Sequence, residues 1–160
     1  MIRIGIISDT HLSDATPELD RLIEYHFNDI EVILHAGDLV HMDVLNAFGG
    51  KRIHAVCGNM DTADVVKTLP RKKVLEFDGY RIGLIHGGGD PSGMESRLKD
   101  EFDTVHCIVY GHTHKPYNEV HEGILYFNPG SPTDKIFSPF NSLGILTIDT
   151  TISGSIIRLP

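Results

Sequence analysis

The sequence predicts a protein of the α/β class in which two mixed sheets pack face to face with helices outside. Up to residue 57, short apolar strands alternate with helices, which is the pattern of a parallel sheet covered by helices. From residue 72, turns that contain glycine join neighbouring strands into hairpins, which is typical of antiparallel pairing. A length of 160 residues suits one domain, so we expect residues 1–160 to fold as a single unit.

The first half of the chain contains three predicted strands and two predicted helices. The strands are short, rich in β-branched residues and predicted at Ile2–Ile7, Glu31–His35 and Arg52–Val56. The first helix is expected to begin at Pro17, because proline suits the first helical turn and Thr16 can cap it. A shorter helix is expected around Val44–Phe48, and Gly49-Gly50 ends it.

The second half contains three predicted hairpins, one helix and one further strand. The paired strands are Lys73–Phe77 with Tyr80–Ile85, Glu119–His121 with Ile124–Phe127, and Leu143–Asp149 with Ile152–Leu159. Asp78-Gly79 and Glu122-Gly123 predict the first two turns, and Ser153-Gly154 marks the third hairpin. A helix around Glu95–Phe102 precedes a strand at Val105–Tyr110.

The composition excludes several classes of function. Fourteen Lys and Arg against 22 Asp and Glu leave a net charge of −8, so DNA binding is not expected. No apolar run approaches the roughly 18 residues of a membrane span, and no signal peptide is recognisable. Cys57 and Cys107 form no disulfide framework, which favours reduced thiols and a cytoplasmic location. An exposed apolar edge at the C-terminal hairpin would permit a homo-oligomer, although no pattern specifies one.

Side chains that can bind metal follow five of the predicted strands at the point where each strand ends. Sites in α/β sheets form beyond the carboxyl ends of the strands, so we expect these side chains at one rim. Glycines beside four of the clusters permit the sharp turns that aim a side chain back over the sheet. The seven candidates are Asp9, His11, Asp38, Asn59, His86, His112 and His114.

The ligand set contains oxygen and nitrogen but no thiolate, which suits Mn²⁺, Fe²⁺, Ni²⁺, Co²⁺ or Zn²⁺. Seven ligands exceed one tetrahedral site, whereas two ions that share a carboxylate would use them all. Paired ions of this kind are a standard device for cleaving phosphate esters. Taken singly, each Asp or Asn is also typical of a helix cap or turn, and each His of a solvated loop. The repetition at five strand ends favours the metal centre over those readings.

In this order the motifs resemble those of the calcineurin-like metallophosphoesterases. The motifs are Asp9-Thr10-His11, Gly37-Asp38, Gly58-Asn59-Met60-Asp61, His86, Gly111-His112-Thr113-His114 and, less specifically, Asn128-Pro129-Gly130-Ser131. The compact length is similar to that of the small bacterial and archaeal phosphodiesterase branch. The resemblance implies a four-layer α/β/β/α sandwich that hydrolyses small phosphodiesters with two divalent metal ions per chain. Manganese is the expected metal, and nickel, iron, cobalt or zinc remain open.

The resemblance also implies a role for each ligand. Asp9, His11 and His114 would hold the first ion, Asn59, His86 and His112 the second, and Asp38 would bridge them. A water shared by two ions would have its pKa lowered from about 15.7 to about 7, so hydroxide would be present at neutral pH. Hydroxide would attack phosphorus in line, without a protein nucleophile. The residues expected to act in catalysis are Asp38, Asn59, His112 and Asp61.

One position departs from the family pattern. Many members carry His directly after the Asn, as a proton donor to the leaving oxygen, and here that residue is Met60. In the family, the acidic residue that follows, here Asp61, orients that His. Because Met60 cannot donate a proton, we expect aryl esters and other activated diesters to be hydrolysed best.

Two other functions stay open at this stage. A phosphomonoesterase would need a basic side chain to grip the dianion, and Lys115 and Lys135 are the nearest candidates. A noncatalytic scaffold is the other, since the retromer coat subunit uses this fold as a protein-binding surface. His35 is expected to support a ligand from behind, and His41 either contacts substrate or begins the next helix.

Overall fold

The computed structural model describes residues 1–160 and contains ten strands, three α-helices and one 3₁₀ helix. The strands are β1 Ile2–Ile7, β2 Val32–His35, β3 Arg52–Ala55, β4 Lys72–Phe77, β5 Tyr80–Ile85, β6 Cys107–Val109, β7 Tyr117–His121, β8 Ile124–Asn128, β9 Ser142–Ile148 and β10 Ile152–Arg158. The helices are α1 Pro17–Phe27, the 3₁₀ helix Met42–Phe48, α2 Ala63–Thr68 and α3 Met94–Lys99.

The strands form two mixed five-stranded sheets. In the first sheet the order is β10-β9-β1-β2-β3, and in the second it is β4-β5-β6-β8-β7. The neighbours β1, β2 and β3 run parallel, as do β5, β6 and β8, while the outer pairs are antiparallel. The two parallel centres therefore present the carboxyl ends of six strands, and five of these, all except β8, carry the candidate ligands.

Alternation along the strands explains why the sheets stack. Ile4 and Ile6 of β1 point into a core shared with Leu84 and Phe127 of the second sheet. Ile7, one position further on, belongs to the core beneath α1 and the 3₁₀ helix. On the outer face of the second sheet, strand residues pack against α3. The layers are thus helix, sheet, sheet and helix, which confirms the predicted α/β sandwich.

Helix α1 begins as the sequence predicts. The Thr16 hydroxyl accepts a hydrogen bond from the Leu19 backbone N–H at 3.2 Å, and Pro17 occupies the first turn. Leu19, Ile23 and Phe27 form its buried stripe. No helix of the structure is both long and apolar enough to cross a membrane.

Three local predictions differ from the structure. Ser153-Gly154 is not a turn but lies inside β10, paired with Thr147 and Leu146, and the chain reverses at 149–151 instead. A Cβ at position 154 would lie 2.4 Å from the Phe127 ring, so this glycine serves a close contact rather than a reversal. The residues around Val44 form a 3₁₀ helix, and helix α2, which buries only Val65, was not predicted.

Candidate metal centre

The structure brings all seven candidate ligands to one rim. Each lies just beyond a strand: Asp9 and His11 after β1, Asp38 after β2, Asn59 after β3, His86 after β5, and His112 and His114 after β6. Two overlapping sets of ligand atoms lie within 4.8 Å of one another: Asp9 with His11 and His114, and Asp9 with Asp38 and His86. The remaining two candidates are Asn59 and His112. Asn59 Oδ1 lies 3.1 Å from His86 Nε2 and 3.2 Å from His112 Nδ1, so it connects His112 to the second set.

Two carboxylates stand between the two sets. Asp38 Oδ2 lies 3.2 Å from His86 Nε2 and 3.5 Å from His11 Nε2. Asp9 Oδ1 lies 3.3 Å from His114 Nε2 and 3.8 Å from His86 Nε2. The resemblance implies that only Asp38 lies between the two ions, whereas in the structure Asp9 belongs to both sets.

The buried carboxylates of Asp9 and Asp38 favour a bound cation beside them. Asp9 is fully buried and Asp38 is 2% exposed, so both carboxylates lie away from water. Asp9 Oδ2 accepts from the Ser8 hydroxyl and the His112 backbone N–H, but Asp9 Oδ1 and His11 Nε2 have no hydrogen-bond partner. Buried polar atoms are rarely left unpaired without a reason. Divalent ions fit this donor set, because they would bind both atoms at once.

The backbone around the ligands is strained. Five of the seven candidates have left-handed φ angles, at 56° for Asp9, 47° for His11, 55° for Asp38, 70° for His112 and 58° for His114. Non-glycine residues rarely adopt this region, and such strain collects at functional sites. Packing of the strand ends therefore holds side chains that an isolated loop would not aim inward.

Charge pairing shifts the pKa values of the buried groups. Burial alone would raise the pKa of Asp9, but its close approach to the imidazoles of His11 and His114 holds the pKa well below its usual range. Burial likewise opposes ionisation of Asp38, and its contact with His86 lowers the pKa of that carboxyl. The Asp9 carboxylate, 3.3 Å from His114 Nε2, raises the pKa of His114 to about 9. The ionised carboxylates of Asp9 and Asp38 thus favour positive charge beside them.

Three of the candidate histidines are oriented by a hydrogen bond that one ring nitrogen donates to a neighbouring oxygen. His86 Nδ1 donates to the Ala36 carbonyl at 2.7 Å, which leaves Nε2 free to face the carboxylates. His114 Nδ1 donates to Asp134 Oδ2 at 2.7 Å, with the same result. His112 reverses this arrangement, since Nε2 donates to the Gly89 carbonyl at 3.0 Å and Nδ1 faces Asn59.

Asp134 contacts the candidate site, although no feature of the sequence points to it. It lies in the loop after β8 and also accepts hydrogen bonds from the backbone N–H groups of Ile136, Phe137 and Ser138. No spacing or motif distinguishes it from other acidic loop residues. Only the folded chain brings it to His114.

Asp134→Asn is expected to weaken Mn²⁺ binding about 10–100-fold. The amide would present an N–H to His114 Nδ1, which disfavours the tautomer that leaves Nε2 free. Calorimetric titration of metal-free protein with Mn²⁺ measures this, and Asp149→Asn, at the exposed turn between β9 and β10, is the control. Equal affinity in wild type and Asp134→Asn would contradict it.

Asp61 hydrogen-bonds the backbone of the loops that carry the candidate ligands. Its carboxylate accepts from the backbone N–H groups of Gly58 at 2.7 Å, Asp38 at 3.1 Å and Val40 at 2.5 Å. These contacts tie the loop after β3 to the loop after β2. His41 directly precedes the 3₁₀ helix, without a side-chain capping bond.

His35 is completely buried beneath the rim. Its Nδ1 accepts from the Gly37 backbone N–H at 3.2 Å, and its Nε2 lies 3.2 Å from Thr10 Oγ1. Burial lowers the pKa of His35 to about 4, and protonated Nδ1 would face another donor. It holds the loops of Asp9 and Asp38 together and contacts none of the seven candidates through a side-chain hydrogen bond.

Acid is therefore expected to destabilise the metal-free protein through His35. A histidine whose folded pKa is lowered stabilises the fold above its unfolded pKa of 6.5, and this is lost as the pH falls towards 4. The loss amounts to about 3 kcal/mol in the free energy of unfolding. Urea titrations at pH 6.5 and 4.5 should show a smaller decrease in His35→Asn, and an unchanged decrease would contradict the assignment.

An open cleft of about 990 Å³ lies over the centre. Its walls include the candidate ligands His11, Asp38, Asn59, His112 and His114, together with lysines and apolar residues of the surrounding loops. A small phosphate ester has room to reach the buried carboxylates from this side.

Sequence comparisons agree with the geometry. A family model described as the calcineurin-like phosphoesterase superfamily domain matches residues 2–151. A probable metallophosphoesterase of Methanothermobacter thermautotrophicus is 37% identical over 97% of this chain and 91% of its own length. A phosphodiesterase of Methanocaldococcus jannaschii is 31% identical over 81% of this chain and 83% of its own length.

Solved structures show the same architecture. An archaeal phosphodiesterase superposes with a TM-score of 0.76 at 27% identity, covering 99% of this chain and 100% of its own. Vps29 of Entamoeba histolytica in complex with Zn²⁺ superposes with a TM-score of 0.69 at 24% identity, covering 98% and 99%, and at this identity it shows the fold alone. With the family model spanning nearly all of its length, this chain belongs to the calcineurin-like phosphoesterase superfamily.

Proposed function

We propose that this protein is a phosphodiesterase that hydrolyses small phosphodiesters with two divalent metal ions. The observation that carries the proposal is the pair of overlapping ligand sets under an open cleft, with Asp9 Oδ1 and His11 Nε2 buried and unpaired. Membership of a phosphoesterase family supports the reaction class, and the related archaeal enzymes support the choice of diesters.

The proposed ligands divide between the two ions. Asp9, His11 and His114 would hold the first, Asn59, His86 and His112 would hold the second, and Asp38 would be shared by both. Asp9 Oδ1 is close to ligands of both ions, His114 at 3.3 Å and His86 at 3.8 Å, so its charge would also act on both. Carboxylate, amide and imidazole ligands suit manganese, and nickel, iron, cobalt and zinc are alternatives.

When bound, the two ions would lower the pKa of a shared water and neutralise charge on the phosphoryl oxygens. The chain's own residues then provide position. Asp38 would supply negative charge to both ions, while Asn59, as a neutral ligand, would leave the second ion more attractive to phosphate. His112 lines the cleft and stays oriented through Gly89. Asp61 acts on Asp38 through the backbone, so we assign it a positioning role.

Positive charge at the cleft bears on the choice between diesters and monoesters. Lys115 and Lys135 are exposed and line the cleft, so a doubly charged monoester would also find a partner. The guanidinium of Arg97 donates to the backbone carbonyls of Gly88, Asp90 and Ser92 and is not free to grip phosphate. With no bidentate arginine at the cleft, diesters are the proposed substrates and monoesters the second candidate.

A metal and substrate screen tests the proposal. Metal-free protein should gain hydrolysis of bis(p-nitrophenyl) phosphate on addition of Mn²⁺, and p-nitrophenyl phosphate should be cleaved more slowly. Faster cleavage of the monoester would favour the phosphomonoesterase. Protein that binds no divalent ion and cleaves neither ester would instead support a protein-binding scaffold, the alternative suggested by the structural likeness to Vps29.

Met60→His is expected to increase hydrolysis of alkyl phosphodiesters about tenfold or more, because a general acid contributes most where the leaving group is basic. Met60 is 58% exposed, so the imidazole has room at the cleft. Hydrolysis of bis(p-nitrophenyl) phosphate should change less than twofold. Rates for methyl and p-nitrophenyl leaving groups measure the difference, and equal gains on both would argue against proton donation from this position.

A further inference from the structure

We infer that Ile136 and Phe137 form a subsite for an aromatic ring carried by the phosphodiester, such as a nucleobase. These two side chains line the cleft beside the proposed centre and are 81% and 68% exposed. We call them the apolar lip. This inference rests on the proposed function, since it names the class of substrate that the same site accepts.

The apolar lip lies directly against the proposed first metal group. The Phe137 ring packs edge-on against His114, with 6.1 Å between ring centroids and 76° between planes. His114 Nε2 in turn lies 3.3 Å from Asp9 Oδ1. A substituent attached to a phosphate at the centre therefore reaches the ring of Phe137 within a few bonds.

The apolar lip is held in place before any ligand arrives. The backbone N–H groups of Ile136 and Phe137 donate to Asp134 at 2.8 and 3.1 Å, and the Asn141 side chain donates to the Asp134 carbonyl at 2.5 Å. An ordered loop loses little conformational entropy on binding. Neither side chain belongs to the buried cores, so core packing does not explain why these positions are apolar.

Charge and size select the occupant. Lys135, next to the apolar lip, and Lys115 give positive charge at the mouth of a chain whose net charge is −8, which suits an anionic ester. Two adjacent side chains can cover one planar ring. Rings stack on aromatic side chains regardless of their hydrogen-bonding pattern. A choline cation can also pack on an aromatic face, but the positive charges of Lys115 and Lys135 beside the apolar lip repel it and favour the uncharged ring.

Binding of uncleavable ligands to the Mn²⁺-loaded protein tests the subsite. The probes are the 5′-phosphonate isosteres of adenosine monophosphate and of ribose 5-phosphate, in which CH₂ replaces the ester oxygen. We expect the adenosine compound to bind about tenfold more tightly in wild type, and Phe137→Ala to remove that preference. Affinity for inorganic phosphate should stay within twofold. Phe137→Leu keeps an apolar side chain but removes the ring, so it distinguishes ring stacking from general apolar contact. Val120→Ala, at an exposed position on β7, is the matched control.

The outcomes separate this inference from the proposed function. Equal affinity of the two isosteres in wild type, no binding of the adenosine compound, or a preference that survives Phe137→Ala would overturn the subsite. Tighter binding of the phosphonate isostere of phosphocholine would also overturn it, in favour of an aliphatic headgroup. If the ring preference is found but no phosphodiester is hydrolysed, the subsite stands and the proposed function fails. Hydrolysis without ring preference gives the opposite result.

Discussion

Asp38→Asn is expected to lower the kcat for bis(p-nitrophenyl) phosphate by about a thousandfold or more. The substitution keeps the size of the side chain but removes a charge that lies 3.2 Å from His86 Nε2 and 3.5 Å from His11 Nε2. A neutral amide between two dications no longer offsets their mutual repulsion, so the second ion should be bound less tightly. Activity and the number of Mn²⁺ ions bound per chain should decrease together.

The control for this prediction separates site chemistry from folding. Asp38 Oδ1 also accepts from the Met60 backbone N–H at 2.8 Å, and an asparagine oxygen can keep that contact. Asp103→Asn removes the same charge from an exposed position and should leave both metal content and kcat unchanged. If Asp38→Asn retains near-wild-type turnover with two ions bound, Asp38 does not bridge them.

The sequence allowed prediction of the layers and of the rim for one physical reason. Strand ends leave a short-range pattern: the apolar run Ile2–Ile7 stops at Asp9, and the run before Gly37 stops at Asp38. Parallel strands then bring residues far apart in the chain to the same edge. The family resemblance supplied the ligand roles, which no spacing alone provides.

Other features depend on contacts between distant segments and leave no such pattern. Ser-Gly is a common turn pair, yet Gly154 lies inside a strand. A glycine is needed there because the Phe127 ring occupies the space where a Cβ would lie. Helix α2 buries a single side chain, Val65, so its periodicity is too weak to recognise. Asp134 becomes important only because the loop that carries it folds against His114.

The conformation of the rim reduces the stability of the fold. Left-handed backbone at Asp9 and Asp38 costs about 1–3 kcal/mol for each residue, and burying two carboxylates side by side adds to that cost. Backbone hydrogen bonds to Asp61 and the network of His35 with Thr10 offset part of it. Divalent ions would offset more, so we expect metal to stabilise the fold as well as to act on substrate.

Gly58→Ala is expected to reduce kcat about a hundredfold, because small displacements of catalytic groups have effects of that size. A Cβ at position 58 would lie 2.2 Å from Asp38 Oδ1, 2.7 Å from the Asp38 backbone nitrogen and 2.8 Å from His86 Cδ2. Since one of these atoms belongs to the backbone, rotation of a side chain cannot relieve the overlap. The loop after β2 must move, and the bridging carboxylate moves with it.

The same substitution should lower the free energy of unfolding by about 1–3 kcal/mol, as overpacking does elsewhere. Gly50→Ala is the matched control, because a Cβ there meets nothing within 4 Å and needs no left-handed backbone. That variant should be neutral or slightly more stable, since alanine restricts the unfolded chain. Urea denaturation and kcat measured on both variants separate the steric effect from the loss of a glycine. Wild-type turnover in Gly58→Ala would show that catalysis tolerates displacement of Asp38, and the proposed bridge would then have to be abandoned.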